Sequence, residues 1–193
     1  MDSRKKRLPL HLVMSDFAEE LYKLRILKGA EFIAQLKLVA ARGEFHPLEG
    51  ETNIYTAGGE KDKDYNNQLN AARKAVELGY RVFILPNPNR ERTPDFIFEK
   101  RGNYRLYDLK TVHGKASAGN RLAESVGQAN RVLLNMRKKY ATRTLAVDIK
   151  EYFEYNPEAV EVLIFKGMRS ISISRYQTTS PMFFKEFRKR YEK

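Results

Sequence analysis

The sequence predicts an α/β protein in which helices flank a mixed β-sheet. Segments with apolar residues at helical spacing alternate with short runs of β-branched and aromatic residues. Glycine, proline and asparagine punctuate these segments. The 193 residues are 42% hydrophobic and 11% aromatic, enough apolar material for a packed core.

Residues 12–43 carry apolar groups at helical spacing, with Ser15 or Asp16 as caps, a break at Gly29 and a stop at Gly43. Residues 44–60 hold Pro47, Gly50, Gly58 and Gly59 and read as a loop or linker. Leu69, Ala72, Ala75, Val76 and Leu78 mark one face of a helix over 63–78, ended by Gly79. Residues 80–85, "YRVFIL", are a continuous apolar run expected of a central strand. After a loop, strands 95–99 and 104–110 fold back on each other around Gly102-Asn103. Residues 120–140 read as a helix, although Val132, Leu133 and Leu134 fit the start of a strand equally well. Residues 144–153 and 160–167 carry strand-like apolar residues on either side of Asn156-Pro157. Residues 170–175 alternate like an edge strand, and the tail from 181 reads as a short basic helix. The expected division is a helical N-terminal appendage (1–50), an α/β core (60–175) and a basic C-terminal helix or tail (176–193).

Lys and Arg number 36 against 24 Asp and Glu, a formal net charge of +12. That excess favours a polyanionic partner, most simply nucleic acid, over a basic protein with no such partner. The basic residues are spread over several elements rather than one amphipathic helix, which argues against a membrane surface. The absence of cysteine excludes disulfides and thiolate metal sites, and the three histidines are too scattered for an obvious zinc site. No apolar run approaches the length of a membrane span, and the basic N-terminal stretch has no signal-peptide cleavage region. A cytoplasmic protein is expected.

The charged positions of the hairpin carry the chemistry. Asp95 follows Pro94 at the start of one strand, Asp108 lies on the other, and the flanks of the bend are of suitable length to bring the two together at one end of the sheet. Asp108 and Lys110 occupy alternate positions and therefore share a face. Two carboxylates brought together repel unless a cation joins them, and oxygen ligands of this kind suit Mg²⁺ or Mn²⁺. An ion held there binds a phosphate oxygen and acidifies a bound water. A neighbouring lysine orients or deprotonates that water, or offsets phosphate charge. A surface Asp–Lys pair and a Pro-Asp turn are the plain structural alternatives.

Pro94-Asp95 followed by Asp108-Leu109-Lys110 resembles the PD-(D/E)xK nuclease pattern, and the order helix–strand–hairpin–helix is similar to the core of that superfamily. Residues 62–136 resemble the C-terminal nuclease domains of contact-dependent growth inhibition toxins and related mobile-element proteins. The resemblance implies Asp95 and Asp108 as metal ligands and Lys110 as the catalytic lysine. Such nucleases often add an acid from the first core helix. Here that helix carries Asn66, Asn67 and Gln68, so Asp64 is the expected third ligand, with a helix N-cap as its other reading. Gln128 matches a glutamine on the helix after the catalytic strand that binds substrate or holds the lysine; a solvated polar residue is the alternative. Arg90, Arg92, Thr111, His113 and Lys115, on flanking segments, are candidates for substrate contact. The implied activity is metal-dependent cleavage of nucleic acid, with RNA (tRNA included) favoured over DNA. The alternatives are a non-catalytic nucleic-acid-binding or mobile-element structural protein, and an interaction module that uses its N-terminal helices to form a homo-oligomer or bind a protein partner.

Overall fold

The computed structural model describes residues 10–58, 64–86, 93–114 and 118–193. Among these residues eight strands form one mixed sheet whose spatial order follows the chain: β1 (His46–Pro47), β2 (Ile54–Thr56), β3 (Arg81–Ile84), β4 (Phe96–Lys100), β5 (Asn103–Val112), β6 (Arg131–Met136), β7 (Glu161–Lys166) and β8 (Arg169–Ser174). β2, β3, β5, β6 and β7 run in one direction, and β1, β4 and β8 in the other. The α/β class and the mixed sheet are as the sequence predicts.

Three apolar clusters fix the layers. On one face α3 (Tyr65–Glu77) lays Ala71, Ala72 and Ala75 against Val82, Ile84, Phe96, Phe98 and Tyr107. Its small residues let the helix approach closely, and the aromatic side chains of the sheet fill the layer: Phe98 packs against Phe96, Tyr107 and Phe165. On the opposite face α1 (Leu10–Ile26) and α2 (Gly29–Ala40) cover β3 to β5, with Phe17, Leu21, Leu36 and Val39 packed on Phe83, Ile97 and Leu106. On that face too, α4 (Ala118–Glu124), α5 (Thr142–Tyr155) and α7 (Phe183–Tyr191) bury Leu122, Ile149, Phe153 and Phe187 over β6 to β8. The short α6 (Arg175–Thr178) turns the chain between β8 and α7, capped by a reciprocal Ser174–Gln177 pair.

Several expectations need correcting. The N-terminal helices, expected as an appendage, pack as a layer over the sheet, because the apolar side chains of β3 to β5 would otherwise face water. The interval 44–60 contains β1 and β2, each too short to register against its glycines and proline. The helix expected over 120–140 ends at Glu124, and 131–136 is a strand buried between parallel neighbours, which needs no alternation of polar residues. Residues 144–153 belong to a helix: Leu145, Ala146, Ile149, Tyr152 and Phe153 share one buried stripe. The hairpin turns at Arg101-Gly102, one residue earlier than expected, with φ of 53° and 78°. Positive φ at both positions matches the twist of the strands, and Gly102 N–H donates to Glu99 Oε1 at 2.7 Å. Among the described residues no helix is long and apolar enough to cross a membrane.

Candidate active site

The hairpin register sets the centre of the site. Phe96 pairs with Tyr107, so the next position out brings Asp95 opposite Asp108, and Asp95 N–H donates to Tyr107 O at 3.0 Å. The two carboxyl groups lie within hydrogen-bonding reach of each other. Asp108 and Lys110 share a face as expected, with Lys110 Nζ 3.0 Å from Asp108 Oδ1 and 2.9 Å from Oδ2. Asp95 is fixed from two further sides: Oδ2 accepts from Leu109 N–H at 2.7 Å, and Oδ1 accepts from Gln68 Nε2 at 2.9 Å.

These groups sit in a cleft of about 420 Å³ at the end of the sheet, between the start of α3 and the α4 region. Asp64, Asn67 and Gln68 line one wall, Arg121, Glu124 and Gln128 another, and Thr111 and His113 the exit from β5. Asp108 is only 1% exposed, and its pKa is pushed up to about 8 by burial and then by the charge of Asp95, against the pull of Lys110. Burial also raises the pKa of Asp95, opposed by the bonds from Leu109 and Gln68. Two acids are thus held where either a proton or a cation must separate their charges.

The donor set fits a hard divalent cation. Asp108 Oδ2 is buried and receives no directed hydrogen bond, although the Lys110 ammonium is beside it. Paired carboxylate oxygens are the ligands Mg²⁺ or Mn²⁺ takes alongside water and phosphate oxygens. Asp64 does not complete a triad. It lies on the cleft wall, bonded through Oδ1 to Asn67 Nδ2, and among the described residues no three His, Cys, Asp or Glu side chains form a metal-holding group. Gln68, missed in the sequence, reaches Asp95 instead. The signal was the amide run Asn66-Asn67-Gln68 at the helix start, read only as a missing acid.

Gln128 lies in the turn after α4 rather than on a helix. It lines the cleft while donating to Glu124 O, and makes no bond to Lys110. Arg121 and Glu124 pair at 2.8 Å. Arg90, Arg92 and Lys115 lie outside the described residues. The described lining sets Asp64, Asp95, Asp108 and Glu124 against Lys110 and Arg121, so it is not the basic channel that the net charge suggests.

Fold and site together define an α/β protein whose sheet carries a carboxylate pair, one member buried and the other half-buried, braced by a lysine and a glutamine. No family model matches the chain, and no curated protein sequence matches it. Among solved structures it is similar to a chain of the CdiA-CT/CdiI toxin and immunity complex from Burkholderia pseudomallei. The two are 15% identical, the match covers 60% of this chain and 89% of that one, and the TM-score is 0.42. This is a likeness of outline, and nothing said of the site rests on it.

Proposed function

We propose that the chain is a divalent-metal-dependent nuclease that hydrolyses phosphodiester bonds, with RNA (tRNA included) ahead of DNA as substrate. The supporting observation is the convergence of Asp95, Asp108 and Lys110 in one cleft, with the two carboxyl groups within reach of each other and the ammonium within 3.0 Å of both Asp108 oxygens. The preference for RNA comes from the resemblance of residues 62–136 to growth-inhibition toxin domains; the PD-(D/E)xK-like motif itself serves both RNA and DNA.

In this reading Asp95 and Asp108 hold the ion. A bound Mg²⁺ or Mn²⁺ supplies a Lewis acid and lowers the pKa of a coordinated water. Gln68 and Leu109 N–H keep the Asp95 carboxylate turned toward its partner. Lys110 offsets charge developing on the phosphate and orients the attacking water. Thr111 and His113, on the cleft rim, contact the substrate backbone, and Arg90, Arg92 and Lys115, which lie outside the described residues, are kept as further substrate contacts. Gln128 meets substrate from the opposite wall, and Asp64, on the cleft wall at the start of α3, would be the further carboxylate available to the ion.

A second reading, a nucleic-acid-binding protein that keeps the fold without cleavage, is favoured by one observation: a glutamine, not an acid, reaches the carboxylate pair from α3. Incubating RNA and plasmid DNA with wild type, Asp108→Ala and Lys110→Ala in Mg²⁺, Mn²⁺ or EDTA separates the two. The nuclease reading expects cleavage by wild type with metal and its loss in both variants. Cleavage that survives in both variants sinks the assigned site, and binding without cleavage by wild type leaves the second reading.

A further inference from the structure

A second polar set stands beyond the carboxylate pair on the α3 face of the sheet. Asn135, on β6, is fully buried and pairs in register with Thr111, which lines the cleft. Its side chain makes two bonds: Oδ1 accepts from Lys74 Nζ at 2.7 Å, and Nδ2 donates to Asn70 Oδ1 at 3.1 Å. Lys74 lies about 9 Å further along α3 than Gln68, at 1.5 Å per residue. Arg137 continues β6 two positions beyond Asn135, on the same side of the pleat, with its N–H bonded to Val112 O.

This arrangement is costly unless something else joins it. The Lys74 ammonium is partly withdrawn from water and rests on a neutral amide. Its pKa is lowered, first by burial and then by the charge of Arg137, and Glu77 offsets these least. Among the described residues neither Lys74 nor Arg137 has a carboxylate within ion-pair distance. A fold that needed only packing here would be better served by an apolar side chain. Two cations held close, with amides fixing one of them, form a place for an anion.

We propose that Lys74 and Arg137 bind a phosphate of the nucleic-acid strand as it leaves the carboxylate pair along α3, past Thr111 and Asn70. The proposal rests on the nuclease reading and names the path its substrate takes. Neither residue touches the reacting phosphate, so both act on binding rather than on chemistry.

Binding is measured by fluorescence anisotropy on a labelled single-stranded RNA in EDTA, over a range of salt. The double variant Lys74→Gln/Arg137→Gln is compared with wild type and with Lys185→Gln/Lys189→Gln on α7, on the opposite face. Each lost phosphate contact on a single strand removes about 0.7 from the slope of log K against log salt. The first variant is expected to lose about 1.4 from that slope. Its affinity falls roughly tenfold near 0.15 M salt, and with metal present KM rises while kcat is kept. Circular dichroism reports folding, and Lys74→Arg, which keeps the charge, retains wild-type binding. An unchanged slope in the double variant overturns the proposal and leaves the nuclease reading intact, and so does an equal loss in the α7 control. A wild type that binds no RNA removes the nuclease reading, and this inference with it.

Discussion

Replacing Asp108 with asparagine should make the metal-free protein more stable at pH 8 while removing its response to divalent ions. Burial and the charge of Asp95 push the Asp108 carboxyl up to about 8 in the folded protein, against an ordinary 3.8. The folded state therefore holds a proton that the unfolded state has already released, and stability falls as pH rises from about 4 to about 8. At 1.36 kcal/mol per pKa unit the upper limit of the effect is ~6 kcal/mol. Relaxation around the pair and entry of water reduce this, and each ~2 kcal/mol that remains moves the melting temperature of a domain this size by roughly 4–8 °C. Asparagine keeps an acceptor for Lys110 without the second negative charge. Thermal melts in EDTA from pH 5 to 8.5 should show wild type losing several degrees and Asp108→Asn losing few. At pH 8, Mg²⁺ or Mn²⁺ at a hundred times its dissociation constant adds about 2.7 kcal/mol to wild type and nothing to the variant. Equal, pH-independent melting temperatures for the two proteins in EDTA would refute the argument that two buried acids repel.

Gln68→Glu should put a third carboxylate beside Asp95, lowering the metal-free melting temperature at pH 8 and tightening Mn²⁺ binding by calorimetry; unchanged affinity would remove Gln68 from the site. Leu36→Ala, at a position with no exposure in the layer of N-terminal helices, should cost about 2–5 kcal/mol in urea unfolding, as a core position does and an appendage does not. Arg101→Asn should stabilise the hairpin turn by up to about 1 kcal/mol, because arginine at φ 53° is in a region that asparagine tolerates better. A melting temperature that stays put or falls would count against that turn geometry.

The hairpin was legible because its signals are local. Alternation put Asp108 with Lys110 on one face, so the one-residue error in the bend, which would set Asp95 opposite Lys110 instead of Asp108, still left all three side chains on that face. Gln68 and Asn135 were not legible, since each is defined by a partner distant in sequence and a side-chain amide gives no sign of what it will bond. The helix at 142–155 was misread because its content of Val, Ile, Tyr and Phe suggests a strand, while its spacing, which decided the matter, suggests a helix. The reversal at β6 has the same root: a strand buried on both faces and a buried helix segment look alike over six residues. The role of residues 10–40 depended on apolar strand faces that only the assembled sheet reveals.

Because the strands lie side by side in chain order, no strand has to be threaded between two that are already paired. As the chain emerges during synthesis, each new strand finds its docking edge already present. The acidic pair comes together as soon as β5 joins β4, when the residues of β6 to α7 have still to be made. Nascent protein therefore meets like-charge repulsion early, with the later helices not yet there to exclude water from it. Divalent ions or mildly acidic conditions during translation should ease that step, and in this way the same two carboxylates link the chemistry of the finished protein to the order in which it is built.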